Sequence, residues 1–241
     1  MERQLFDYPL CSRRAICAGL VSVSLVAGSP SVAAPVQSSP QTAKALFQRL
    51  AKLQTLEANF REEKQLALLK MPLITEGRLY YARPGYLLRS VEKPSVSRVR
   101  IGPERLEVIN AESKQTIDLR SRPDVKLFVE SFTRVLAGDG DALSRGYKIS
   151  FQPAACAMPD QRCETTADRK PWRLRLVPKS KQLGALIRSL EMEGHALAVH
   201  TIRVVEAKGD VSVTHISNVR ANRPFTAAQQ RDLFGKLLPK R

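Results

Sequence analysis

The amino-acid sequence predicts a mainly β protein with helices (α+β), in which a large curved antiparallel sheet or barrel is covered by helices. Apolar and polar residues alternate along most of the chain from Leu56 onward, so each strand has one apolar and one polar face. Turn signals rich in glycine and proline separate roughly nine to eleven such segments. Two further segments repeat their apolar residues with the period of a helix and can cover the apolar face of the sheet.

Residues 1–33 predict a signal peptide for export. An arginine pair at 13–14 precedes an apolar run at 15–27, and small residues at 31–33 predict the cleavage site. The run is shorter than the ~20 residues that a membrane-spanning helix needs. Residues 12–16 also partly match a twin-arginine signal, so both export routes stay open.

Residues 34–41 are expected to form a flexible lead-in, and residues 42–241 a single domain. Ser29 stands where a lipoprotein would need a cysteine, so we expect a soluble monomer in the periplasm of a Gram-negative bacterium. The net charge of +16 favours anionic partners such as membrane surfaces, although a solvated basic surface is an equally simple explanation. The export signal and the absence of a zinc-finger or RNP-like motif argue against nucleic acid.

The first predicted helix covers 42–53, with Thr42 as a possible N-cap. A second helix begins with Asp124 as its cap and ends at Gly138. A third, short helix covers 226–238. The apolar stripes of the first two helices consist of Leu46, Phe47, Leu50 and Leu53, and of Val125, Phe128, Phe132, Val135 and Leu136.

The strands are predicted from alternation, and turns are predicted at 83–85, 102–103 and 208–210. The residues on shared apolar faces are Leu79, Tyr81, Val99, Ile101, Leu106, Val108, Tyr147, Ile149, Phe151, Trp172, Leu174, Leu176, Leu186, Leu190 and Met192, with Val211 and Val213 sharing a face further on.

Two cysteines follow the signal segment, Cys156 and Cys163, within a polar insertion at 152–170. In an oxidising compartment such a pair predicts a disulfide that closes one loop. A zinc site would need more ligands, and the three histidines lie far away in sequence, two in predicted strands (His200, His215) and one in the turn before them (His195). We therefore expect no metal and no cofactor.

The sequence contains neither a glycine-rich phosphate loop nor a G-x-S-x-G elbow, and its acidic residues are dispersed. A histidine acting with Asp210 and a serine is a less common arrangement than histidines on strand faces, so we do not expect an enzyme. The apolar faces have two interpretations that composition does not separate. They form either a closed core or a cavity between sheet and helices that holds an acyl chain.

Residues 46–94 resemble the LolA-like family of periplasmic carriers of outer-membrane lipoproteins. The family pattern is a helix, an "hxxF" strand, a "G-x-L-x-x-x-R-P-x-x-h" segment and a later proline, and the chain matches it at 46–50, 56–60, 77–87 and Pro94. The resemblance implies an unclosed antiparallel β-barrel or half-barrel, with a helical lid over an apolar cavity that receives acyl chains. It also implies an inner-membrane exporter as donor and an outer-membrane acceptor.

The resemblance places the family's lid-controlling arginine at Arg83, where it is expected to bond the lid helices in the closed state. The implied lid residues are Val125, Phe128, Phe132 and Leu136. The implied cavity residues are Phe60, Leu79, Tyr81, Leu87, Leu106, Val108, Phe151, Trp172, Leu174 and Met192.

The chain departs from the family pattern in three ways. Leu87 replaces a frequent aromatic residue, the insertion around Cys156 is unusual, and we expect no C-terminal extension strand. These departures leave a lipoprotein, a glycolipid or another lipid-linked product as possible cargo. A lipid-binding sensor or accessory module on the same scaffold, and a hydrolase, are the alternative functions.

Overall fold

The computed structural model describes residues 42–67, 70–153, 171–195 and 198–237. Within these residues eleven strands form one antiparallel sheet. The strands are β1 (Thr55–Gln65), β2 (Leu73–Ala82), β3 (Tyr86–Lys93), β4 (Ser97–Ile101), β5 (Arg105–Asn110), β6 (Lys114–Asp118), β7 (Tyr147–Pro153), β8 (Pro171–Pro178), β9 (Ile187–His195), β10 (Ala198–Glu206) and β11 (Val211–Ala221). The predicted signal peptide and the predicted Cys156–Cys163 disulfide lie outside the described residues.

The sheet consists of two meanders joined at its centre. Its strand order is β6-β5-β4-β3-β2-β1-β11-β10-β9-β8-β7, so β1 and β11 pair while β6 and β7 form opposite edges. Leu56 is the register partner of Ala221 and Phe60 that of Ile216. Because β6 and β7 are not paired with each other, the sheet is an unclosed barrel, as predicted.

Five α-helices accompany the sheet in the described part of the chain. They are α1 (Ala43–Leu50), α2 (Pro123–Ala137), α3 (Gly140–Gly146), α4 (Lys181–Gly184) and α5 (Ala227–Phe234), and a short 3-10 helix follows α5 at Gly235–Leu237. The connection from β6 to β7 contains α2 and α3 and leads from one edge of the sheet to the other. Helices α1 and α2 pack on one face, called here the inner face, where Leu46, Leu50 and Val135 join a cluster with Leu174 and Leu190.

The structure confirms Thr42 as the N-cap of α1, where its hydroxyl accepts from the Ala45 amide at 3.2 Å. The predicted extension of this helix to Leu53 is wrong. After Leu50 the chain tightens into i to i+3 bonds, of which Leu53 N–H to Leu50 O is 2.9 Å, and it turns into β1. Leu53 is nevertheless fully buried.

Asp124 is not the N-cap of α2, contrary to prediction. Arg122 holds that position without a side-chain cap and Pro123 is the first helical residue, because a fixed φ and a missing N–H suit proline to that place. Asp124 lies in the first turn. The pKa of its carboxyl is lowered by a hydrogen bond from the backbone of Val125 and, in addition, by the neighbouring Arg122.

Helix α5 covers the opposite, outer face of the sheet. Thr226 closes a capping box with Gln229, and Phe234 packs among Tyr86, Leu88 and Ala82. The helix ends at Phe234, and the predicted continuation to 238 is instead the 3-10 turn as far as it is described. His195 likewise differs from prediction, since it is the last residue of β9 and not part of a turn.

Gly138 ends α2 with a left-handed backbone (φ 71°), as predicted. A Cβ at this position would overlap the carbonyl oxygen of Phe47 and the backbone nitrogen of Ala51, so glycine allows α2 to touch α1.

We expect Gly138→Ala to lower the free energy of unfolding by more than the ~1–2 kcal/mol that the left-handed conformation alone costs. Gly209→Ala is the matched control, since Gly209 has φ 98° and a Cβ added there would meet no atom within 4 Å. Equal losses in urea denaturation would contradict this explanation.

Candidate functional site

An apolar cavity of about 210 Å³ lies between the inner face of the sheet and α2. Its wall comes from strands of both meanders, so the β1–β11 pairing builds it. The lining residues are Leu56, Glu62, Leu79, Leu87, Arg89, Val99, Ile101, Phe132, Leu136, Met192, Val199, Ile202, Val204, Thr214 and Ile216.

Five of the predicted cavity and lid residues line this cavity. They are Leu79, Leu87, Met192, Phe132 and Leu136. The other predicted residues lie in or against packed clusters: Tyr81, Phe151, Trp172, Leu174, Leu106, Val108, Val125 and Phe128. Strand alternation and the helical stripe of α2 correctly assign these residues to apolar faces, but neither pattern shows where the helices pack directly onto the sheet.

Phe60 is a separate case. It is buried on the inner face of β1 and does not line the cavity. The Cζ atom of Arg89 lies over its ring, 4.5 Å from the centroid. The predicted wall residue is thus covered by a charged group.

Arg89 belongs to a polar cluster that was not among the predicted site residues. Its Nη2 donates to Glu62 Oε1 and to Thr75 Oγ1, both at 3.0 Å. Thr214 Oγ1 donates to Glu62 Oε2 at 3.0 Å. We call Glu62, Thr75, Arg89 and Thr214 the polar cluster. The sequence does hold a signal for it, since Glu62 follows Phe60 by two positions and Arg89 follows Leu87 by two, where alternation requires apolar residues.

In β11, as in the polar cluster, polar side chains occupy positions on the buried face of the sheet. Val211 and Val213 do share a face, but Ser212 and Thr214 are the buried residues of that segment. Thr214 points to the cavity because its register partners, Glu62 and Ile202, do so as well.

Arg83 lies at the other end of the inner face, where α1 and α2 end. Its Nε donates to the carbonyl of Leu53 at 3.0 Å, and its Nη2 donates to those of Ala51 at 2.8 Å and Ala137 at 3.2 Å. These carbonyls follow α1 or end α2, where the helix dipole is negative. One guanidinium therefore links both helices, which together are called the lid below, to the β2–β3 turn.

Burial shifts the pKa of Tyr81, Tyr147 and His200. Burial raises the pKa of Tyr81 and of Tyr147, and the Tyr147 hydroxyl donates to the Leu127 carbonyl at 3.3 Å. His200 stacks on His195 with ring centroids 4.2 Å apart, and burial followed by the neighbouring His195 lowers the pKa of His200. Among the residues that the structure describes, no three His, Cys, Asp or Glu side chains are grouped to hold a metal ion.

Within the described ranges, no helix has the length and apolar character required to cross a membrane.

The candidate site is an apolar cavity under a lid, with a polar cluster at its wall and one arginine that fastens the lid.

Comparison with known proteins identifies the family. A family model described as outer membrane lipoprotein carrier protein LolA-like matches residues 33–232, and the chain belongs to this family. No curated protein matches the chain.

The chain is also similar to several solved structures. A LolA superfamily protein from Nitrosomonas europaea is 9% identical, covers 80% of this chain and 99% of its own, and has a TM-score of 0.40. A putative outer membrane lipoprotein-sorting protein domain from Vibrio parahaemolyticus is 11% identical, with 80% and 96% coverage and a TM-score of 0.46. The lipoprotein LppX from Mycobacterium tuberculosis is 10% identical, with 76% and 97% coverage and a TM-score of 0.36.

Proposed function

We propose that the protein binds acyl chains of a lipoprotein or another lipid in its cavity and carries them through the periplasm toward the outer membrane. The observation that carries the proposal is the apolar cavity beneath a lid that Arg83 fastens. In this proposal residues 1–33 are removed on export, an inner-membrane exporter loads the monomer and an outer-membrane acceptor unloads it.

The size of the cavity supports a lid that moves. Ligand cavities usually measure roughly 300–1,000 Å³, whereas this one measures about 210 Å³. An acyl chain thus needs space that α2 occupies in this state. Phe132 and Leu136 are the α2 side chains that line the cavity, so movement of this helix would enlarge it.

The energetics of a carrier fit such a lid. Each buried CH₂ contributes ~0.8 kcal/mol, so extracting a ~14-carbon chain from a bilayer needs roughly 11 kcal/mol of contact within the protein. Delivery requires that the cavity not bind the chain much more tightly than the acceptor does. A lid that competes with the ligand for the same apolar wall lowers the net affinity to a range that permits release.

Filling the cavity is expected to weaken acyl binding while the fold persists. Val204 lines the cavity and the adjacent Val205 does not, although both are half-buried in β10. We expect Val204→Trp to lose at least about tenfold in acyl-lipid binding at a stability loss of ~1–3 kcal/mol, because the added rings occupy the ligand's space. Val205→Trp is the matched control.

The measurement has two parts. Acyl lipid that co-purifies with each variant is quantified by mass spectrometry, and its transfer between donor and acceptor vesicles is followed over time. Equal lipid content in both tryptophan variants would contradict the assignment of the cavity. Binding without transfer would identify a lipid-binding sensor module instead of a carrier.

A further inference from the structure

The polar cluster lies at one end of the cavity wall. Glu62 lies six positions after Leu56 along β1, a distance of about 20 Å at the rise of a strand. Leu56 packs near Leu53 and Leu136 at the end that Arg83 fastens. The cavity therefore has an apolar end beneath the end of the lid and a polar end at Arg89.

Stability does not explain the cluster. A partly buried ion pair gains little over apolar residues of similar volume, because desolvation of both charges offsets much of their attraction. The side chains of Arg89 and Glu62 are only 28% and 22% exposed. They are also the two charged residues in a cavity wall that is otherwise almost entirely apolar among the described residues.

The guanidinium of Arg89 has more N–H donors than its neighbours accept. Of its five N–H bonds, those on Nη2 serve Glu62 and Thr75. The N–H groups on Nε and Nη1 have no partner in the part of the chain that the structure describes. Phe60 lies against one face of the guanidinium. The neighbouring side chains thus fix Arg89 while some of its donors stay available in the cavity wall.

The ion pair between Arg89 and Glu62 favours an uncharged hydrogen-bond acceptor over an anion as the ligand of Arg89. Glu62 lies 3.0 Å from Arg89 and neutralises it, so an incoming anion would gain little and would meet the Glu62 carboxylate. An uncharged oxygen acceptor meets no such opposition. Ligand cavities typically combine an apolar wall with a few placed polar groups that fix the orientation of the ligand.

We propose that Arg89 binds the ester or amide carbonyl oxygen through which an acyl chain is attached to its head group. The tail then runs toward Leu56 and Leu136, and the head group stays at the Arg89 end. This inference rests on the proposed function and adds its orientation and its ligand class: acyl esters and amides, in preference to alkyl ethers.

The test compares four ligands that have the same length of alkyl chain and differ in the polar group at its end. Methyl dodecanoate, N-methyldodecanamide, dodecyl methyl ether and dodecanoate compete with the neutral fluorescent probe N-phenyl-1-naphthylamine for the purified protein. We expect the ester and the amide to bind about tenfold more tightly than the ether, as one hydrogen bond to a charged donor provides. Dodecanoate is expected to show no advantage over the ester.

The variant Arg89→Leu/Glu62→Leu should lose this preference while it keeps its affinity for the ether, because removing both charges leaves no unpaired ion. The matched control is Lys64→Leu/Glu206→Leu, which removes a 2.6 Å ion pair whose lysine lies two positions further along β1, outside the cavity wall. The control should keep the preference. If the double variant does not fold, Arg89→Lys is tested instead for the same loss of preference. This variant keeps the positive charge but loses the planar guanidinium and its fixed set of N–H donors.

Each outcome decides something different. Equal affinity of the natural protein for ester and ether would overturn the inference and leave the carrier proposal standing. Tightest binding of dodecanoate would make Arg89 an anion site and also overturn it. Failure of all four ligands to compete would count against the proposed function itself.

Discussion

Replacing Arg83 with leucine is expected to leave the fold intact and to trap acyl lipid in the protein. The variant loses three hydrogen bonds from one guanidinium to the carbonyls of Ala51, Leu53 and Ala137. Water can hydrate the freed carbonyls, since the Ala51 contact is exposed and the other two are only partly buried. The closed lid then competes less well with the ligand for the apolar wall.

The expected size of the effect follows from the lost bonds. Hydrogen bonds to a charged group contribute ~1.5–3 kcal/mol, so we expect release to acceptor vesicles to slow by at least about tenfold. Arg122→Leu is the control, because Arg122 precedes α2 and pairs only with Asp124 in the described residues. Transfer at the natural rate by Arg83→Leu would refute the proposed role of Arg83 in gating.

Replacing Arg100 with leucine is expected to cost about 3–5 kcal/mol of stability, which is typical when one partner of a buried ion pair is removed. Glu107 is 5% exposed and lies 3.7 Å from Arg100 Nη1 on the outer face. Arg100 also donates to the carbonyls of Asp232 and Leu233 at 2.9 Å, and so fastens the end of α5.

Two further variants separate the buried charge from the docking of α5. Arg100→Leu/Glu107→Leu should recover most of the loss in urea denaturation, because the buried carboxylate is removed together with the more buried of its two cationic partners. Lys114→Leu should have a smaller effect than Arg100→Leu, since Lys114 also pairs with Glu107 at 3.4 Å but is half exposed. If the double variant were as unstable as Arg100→Leu alone, the buried charge would not be the cause.

The strands follow from the sequence because their pattern is local. In β8, Trp172, Leu174 and Leu176 alternate with exposed arginines, and each is buried as alternation requires. The N-cap of α2 is harder to predict from the sequence, because Asp124 and Pro123 both favour a helix start. Only the position of the first helical turn in the structure distinguishes them. The extent of the sheet and most element types are thus within reach of sequence reasoning.

The cavity could be predicted only in part, because its wall depends on contacts between distant segments. Whether an apolar residue such as Trp172 faces a cavity or a helix depends on where α1, α2 and α3 lie across the sheet. Arg89 and Glu62 interrupt the apolar alternation in two separate strands, and only the register of β1, β2 and β3 brings them together. The outer position of α5 is likewise absent from any local pattern.

The pairing of β1 with β11 has a consequence for the kinetics of folding. Each meander pairs strands that are neighbours in sequence, whereas the junction joins Leu56 to Ala221, near opposite ends of the described chain. Long-range pairing of this kind slows folding, because loop entropy is lost before the contacts form. The cavity wall is drawn from both meanders, so the pairing with the largest loss of loop entropy is also the one that completes the cavity.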